Sequence, residues 1–211
     1  MRASLLTVIL CAAILSLAPD RARAQTETEH AFLLVATPGM LDSNFAGTVV
    51  LAMRSDDGGP LGVILNRPTT TELRSLYPEH AELAERDDLI FLGGPVQPDA
   101  LLFAFRSAKK PAKGMFVAED IYISGFSEIF ADILKHPENA DEQRFFSGYA
   151  GWVAGQLEAE IAHGGWYVLP FDARVLFGMN PLTMYQDLLE RASAPRIEAR
   201  HSQHLTRVVT P

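Results

Sequence analysis

Short apolar runs fenced by glycine, proline and Asx residues constrain this chain more than any other feature. Residues 30–37, 48–54 and 61–65 form three such runs, and residues 88–92 and 101–106 form two more. Apolar runs of this length between turn residues read as buried strands. Ser55-Asp56-Asp57-Gly58-Gly59 joins the second run to the third, and Gly93-Gly94-Pro95-Val96-Gln97-Pro98-Asp99 joins the fourth to the fifth. Glycines at such bends supply the positive φ that a tight hairpin needs. The pattern predicts two β-hairpins, with a structured loop at residues 38–45 and no repeat of solenoid length.

Asn66-Arg67-Pro68 is expected to end the third strand, since proline cannot donate to a ladder. Residues 71–86 mix charges with leucines and predict short helical turns, and residues 115–124 predict one further strand. Ser127 opens a helix in which Ile129, Phe130, Ile133 and Leu134 share a face, and His136-Pro137 stops it. Residues 143–163 read as helical, although Gly148, Gly151 and Gly155 each cost about 1 kcal/mol in a continuous helix. A break is expected near Gly155. The three glycines could also form a small-residue stripe against the sheet. A strand over 166–169 and a last helix over 181–192, burying Leu182, Tyr185, Leu188 and Leu189, complete the chain before Pro195. Strands first and helices later predict an α+β fold: a single compact domain with a mixed, largely antiparallel β-sheet, β-hairpins and packed helices.

Residues 1–24 read as a secretory signal. Arg2 starts it, an apolar run extends from Leu5 to Ala18, and Ala22-Arg23-Ala24 fits small-x-small cleavage. The folded domain is then expected over residues 25–195, outside the cytoplasm, followed by a basic, flexible tail at 196–211. The signal holds three arginines and one aspartate, so its removal makes the chain more acidic than the formal −8 of the whole sequence. That charge disfavours nucleic acid and anionic membrane surfaces, and no stable membrane insertion is expected after cleavage. The lone cysteine, Cys11, lies inside the signal, so disulfides, thiolate catalysis and thiolate metal sites leave with it.

Several motifs recur in one order. Thr37-Pro38-Gly39-Met40 with Asp42 and Asn44-Phe45 comes first, then Gly62-Val63-Ile64-Leu65-Asn66-Arg67-Pro68, then Gly93-Gly94-Pro95-Val96. Asp120-Ile121-Tyr122-Ile123-Ser124-Gly125, Gly148-Tyr149-Ala150-Gly151-Trp152, Gly155-Gln156-Leu157-Glu158 and Trp166 follow. Over about residues 30 to 190 this resembles the YqgE/AlgH family, an uncharacterised family that includes a protein named as an alginate regulator. The resemblance implies a compact α+β domain and carries no reaction with it. It also implies departures: Ser55 and Phe105 stand where relatives tend to have histidines, and Ala100 where an arginine is common.

Asp42, Asn44, Asn66 and Arg67 are the polar groups expected to gather at loop ends on one side of the sheet. With the Gly93 and Gly94 amides they could form a pocket for a small anionic ligand, Arg67 binding in bidentate fashion. The alternative is structural: Asp42 and Asn44 cap turns, and Arg67 pairs with an acidic neighbour. Glu158 and Glu160 point to different helix faces and are expected to form a solvated first turn. His30, His80, His136 and His163 are isolated, and His201 and His204 make only a weak pair, so no metal site is expected. No catalytic residue and no cofactor is assigned, because no nucleophile elbow or P-loop is present. The favoured function is a non-catalytic module that binds a small anionic ligand or a protein partner. The alternatives are a hydrolase or transferase using Asp42, Asn66 and Arg67, or the transcription-related role that the family name suggests.

Overall fold

Proximity in space, not in sequence, sets the order of the strands in the computed structural model, which describes residues 30–54 and 59–194. The strands are β1 (Ala31–Ala36), β2 (Val49–Met53), β3 (Leu61–Ile64), β4 (Pro68–Glu72), β5 (Leu89–Leu92), β6 (Val96–Arg106), β7 (Met115–Ala118), β8 (Ile121–Ser124), β9 (Gln143–Gly151) and β10 (Trp166–Pro170). Their path runs β10-β1-β2-β3-β9-β6-β8-β7, with β5 joining β9 and β4 joining β5. Only β5 and β9 run parallel, so the sheet is mixed and largely antiparallel. The helices are α1 (Leu73–Leu76), α2 (Ser127–Ile133), α3 (Gln156–Ala162), α4 (Ala173–Phe177) and α5 (Pro181–Ser193), with 3-10 turns at Ala81–Leu83 and Pro137–Glu142. The α+β expectation stands.

The β2–β3 hairpin forms with Met53 opposite Leu61. The second hairpin does not. β5 and β6 are separated by β9, which pairs with β5 on one side and β6 on the other. β9 also overturns the helix expected from residue 143 onward: the helix, α3, starts only at Gln156, after Gly155 in the left-handed region at φ 79°. A strand buried on both faces shows no alternation, and that is why its period is invisible locally. Phe145 and Phe146 are each at most 1 % exposed and point into different cores. Gly148 has φ 70°, and a Cβ there would lie 2.6 Å from the Gly94 carbonyl oxygen. Gly148, Gly151 and Gly155 therefore share no helix face: the first two belong to β9 and the third caps α3.

Three smaller differences have equally local causes. β3 ends at Ile64, ahead of Asn66-Arg67-Pro68 as expected, but Pro68 then begins a further strand, β4, at a position where its missing N–H breaks no ladder bond. Residues 115–124 form two strands, β7 and β8, joined through Glu119 at φ 52°. On α5 the Asn180 side chain accepts from Leu182 N at 3.0 Å; Met184 and Leu188 face inward, and Leu182 is 81 % exposed.

One core lies between the inner faces of the curled sheet, where Leu33, Leu51 and Val63 meet Phe146, Ile123 and the helices α4 and α5. A second covers the outer face of β1–β3 with Trp152, Leu157 and Trp166. A third packs Phe130, Ile133 and Leu134 of the α2 region on Phe103, Phe105 and Phe145. No helix among the described residues is long and apolar enough to cross a membrane. The expected signal at residues 1–24, the expected tail at 196–211 and residues 55–58 of the first hairpin turn lie outside the described residues.

Candidate functional site

The loop between β1 and β2 is held by side chains that follow β3. Asn66 Oδ1 accepts from Val49 N at 2.8 Å, and its Nδ2 donates to the Gly47 carbonyl at 2.9 Å. Arg67 Nη1 donates to the Asn44 carbonyl at 2.7 Å, and Nη2 reaches those of Ala46 and Ser43 at 3.3 and 3.4 Å. Asp42 Oδ1 accepts from Asn44 N at 2.8 Å, an Asx turn, while the Asp42 carbonyl accepts from Phe45 N and Ala46 N. The structure thus brings Asp42, Asn44, Asn66 and Arg67 together. Arg67 meets main-chain carbonyls rather than the acidic neighbour of the structural alternative.

Gly93 and Gly94 are placed elsewhere, against β9. The Gly93 N–H donates to the Ser147 carbonyl and its own carbonyl accepts from Ile64 N, each at 2.8 Å. A Cβ on Gly93 would strike the Gly148 carbonyl, and one on Gly94 the backbone of Tyr149. Their smallness serves close approach of two backbones.

A half-open cavity of about 290 Å³ lies on the inner face of the sheet, at the end where β2 turns into β3. Met53, Leu61, Leu102, Met115, Phe126 and Tyr149 are among its lining residues, and Ala100 also lines it. Among the described residues, Tyr149 is the only lining residue with an ionisable side chain. At the rim, Lys113 Nζ stands 4.8 Å from the centre of the Phe126 ring and 2.7 Å from Glu128 Oε1. The hydrogen bond from Lys113 holds the Glu128 carboxyl below its ordinary range. Of the positions that depart from the resemblance, Ala100 opens the cavity wall, Phe105 packs on Phe103 and Tyr122, and Ser55 is outside the described residues.

Glu160 departs from the solvated first turn expected of it. Its Oε2 accepts from the indole N–H groups of Trp152 at 3.0 Å and Trp166 at 2.9 Å, and its Oε1 accepts from Gln156 at 2.9 Å. Phe45 stacks on Trp152 with ring centres 6.1 Å apart, so the loop from β1 to β2 closes over the same cluster. Glu158 stays exposed. No spacing rule in the sequence joins residues 152, 160 and 166, because the chain turns twice between them.

Arg144 was likewise silent in the sequence. Its guanidinium lies 4.7 Å from the centre of the Phe91 ring and donates to the Phe177 carbonyl at the end of α4. Burial pulls its pKa down to about 10. The neighbouring Arg106 is bound by Glu142, Glu119 and Asp120. Among the described residues, no group of three or more His, Cys, Asp or Glu is placed to hold a metal ion.

The sequence model of the AlgH-like family (DUF179) matches residues 33–196. A UPF0301 protein of Cytophaga hutchinsonii is 33% identical over 159 residues, spanning 74% of this chain and 86% of that protein. One from Azoarcus sp. (strain BH72) is 36% identical over 159 residues, spanning 73% and 82%. The solution structure of the AlgH protein from Pseudomonas aeruginosa superposes with a TM-score of 0.63 at 27% identity, covering 82% of this chain and 95% of that one. The crystal structure of protein DIP2367 from Corynebacterium diphtheriae shares the fold, with a TM-score of 0.65 at 22% identity over 85% and 96% of the two chains.

Proposed function

This chain belongs to the AlgH-like family, and from that premise we propose that it is an exported, non-catalytic binding module that receives an apolar side chain of a protein partner. The observation that carries the reading is the cavity on the inner face. Its volume, about 290 Å³, lies at the small end of the range for ligand pockets, suited to a side chain more than to a cofactor. Two of its lining residues are methionines, whose flexible thioethers adapt to varied apolar partners. Among the described residues that line it, the Tyr149 hydroxyl is the one ionisable group. In this reading Asp42, Asn44, Asn66 and Arg67 are scaffold, because the donors of Asn66 and Arg67 are directed at the loop's own carbonyls.

Export is part of the proposal and rests on residues 1–24. Fractionation of cells expressing the full chain with a C-terminal tag is expected to recover a shortened product outside the cytoplasm; a full-length cytoplasmic product would overturn it. The cavity is tested with N-phenyl-1-naphthylamine, a neutral apolar fluorophore. The protein is expected to enhance its emission, and Ala100→Trp, which fills the cavity, is expected to abolish the enhancement. Unchanged enhancement in the variant would remove the cavity as the site.

A further inference from the structure

The apolar cavity opens at the end of the sheet to which the last helix delivers the chain. α5 runs antiparallel to β1: near its start the Tyr185 hydroxyl donates to the carbonyl of Ala36, the last residue of β1, at 3.1 Å. Near its end Arg191 is close to Asp172, and its charge adds to the lowering of that carboxyl which Arg174 chiefly causes. Asp172 follows Pro170, whose strand partner is Phe32, and the neighbouring Ala31 pairs with Met53 of the cavity wall. Met184 and Leu188 of α5 share one core with Met53, Val63 and Ile123, and all three of the latter line the cavity. The start of β1 also stands beside β7, because the His30 ring packs edge-on against Phe116 at 5.7 Å, next to Met115 of the wall. The chain therefore leaves α5 on the cavity's face of the sheet and at the cavity's end.

What leaves there is the segment 195–211, which continues beyond the family match that ends at 196. It carries one apolar cluster, Leu205, Val208 and Val209. Leu205 stands eleven residues after Ala194, and eleven extended residues reach up to about 36 Å. Met53 belongs to a strand that α5 itself touches, so the reach is ample. A segment tethered so close meets the cavity at an effective concentration in the millimolar range, and even a weak contact is then populated. The other end of the chain offers no rival: Gln25-Thr26-Glu27-Thr28-Glu29, which precedes β1 after the expected cleavage, is polar throughout.

Resting on the reading of the cavity as a side-chain site, we propose that Leu205, Val208 and Val209 of the same molecule occupy it until a partner arrives. The partner's side chain enters by displacing them. The C-terminal segment is then an internal competitor, and apparent affinity for a partner is reduced by the fraction of molecules whose cavity is open.

Titration of the purified protein with N-phenyl-1-naphthylamine tests this. A chain ending at Gln203 and the full-length Val208→Asp/Val209→Asp variant are each expected to bind the fluorophore about tenfold more tightly than wild type, as an open fraction of about one in ten requires. A synthetic peptide of residues 204–211 is expected to displace the fluorophore from the shortened chain. In carbon-13 methyl spectra the Met53 and Met115 signals are expected to move on shortening and to return when the peptide is added. Equal affinity of wild type and both variants, with Ala100→Trp still abolishing binding, would overturn the segment as occupant and leave the cavity reading standing. No binding by the shortened chain would overturn both, so the two failures are distinguishable. A gain from Ile197→Asp but not from Val208→Asp/Val209→Asp would overturn the proposal, and so would a wild-type affinity that rises on dilution, the mark of a segment supplied by a second copy.

Discussion

The Arg67 guanidinium donates to the main-chain carbonyl of Asn44 at 2.7 Å, so a cation on the third strand's exit fixes a loop that precedes the second. Arg67→Ala removes this bond and the two longer ones beside it. Charged donors on carbonyls contribute more than neutral ones, and a loss of about 2 kcal/mol in urea unfolding is expected. Arg67→Lys is expected to recover little, because an ammonium cannot reach three carbonyls as a planar fork does. Equal stability of wild type and Arg67→Ala would contradict the clamp.

Gly148 and Gly155 both have positive φ, at 70° and 79°, yet differ in surroundings. A Cβ at Gly155 meets nothing within 4 Å, whereas one at Gly148 meets the Gly94 and Val96 carbonyls. Gly155→Ala is expected to cost about 1 kcal/mol, the left-handed penalty alone. Gly148→Ala carries the same penalty plus displacement of β9 from the β5–β6 loop, and about 3 kcal/mol or failure to fold is expected. Denaturant midpoints of the two variants measured side by side check the order.

Glu160 holds both tryptophans of the chain, so tryptophan fluorescence, excited selectively over tyrosine, reports on this cluster. Glu160→Ala leaves two buried indole N–H groups without their acceptor and is expected to cost about 2 kcal/mol. Its emission is expected to shift to the red as water reaches the rings. Glu160→Gln retains one acceptor oxygen and is expected to lie between the two. Superposable spectra of wild type and Glu160→Ala would show that the carboxylate does not order the indoles.

Asp172 caps α4 by accepting from Arg174 N at 3.0 Å. The Arg174 side chain, above all, holds the Asp172 carboxyl below its ordinary value of 3.8. A carboxyl depressed in the folded state contributes stability that is complete above its unfolded pKa and fades as pH falls through the folded one. Stability is therefore expected to drop as pH falls below about 4. Asp172→Asn keeps the cap and removes the titration, and its urea midpoint is expected to vary less over that range than that of wild type.

Legibility followed how locally each element is stabilised. β1, β2 and β3 were readable because each is a short apolar run ended by turn residues, and α2 because Phe130, Ile133 and Leu134 recur at helical spacing. The gathering of Asp42, Asn44, Asn66 and Arg67 was readable too, since loops at one end of a hairpin converge. What these side chains bind was not. Whether Arg67 meets a carboxylate or a carbonyl depends on how the backbone of residues 43–47 turns, which no residue type specifies.

The amino-acid sequence by itself determined the α+β class, the family, the first hairpin and the polar cluster at its far end, because these rest on composition, periodicity and motif order. Tertiary structure alone decided that residues 143–151 form the strand between β5 and β6, that Glu160 joins Trp152 to Trp166, and that a cavity opens beside Ala100. The reason is physical. β9 is covered on both faces by residues distant in the chain, so its amphipathic period is erased. Gly148 reads as a helix breaker until Gly94 is seen against it, and a cavity exists only in the relation between strands that the curl of the sheet brings together.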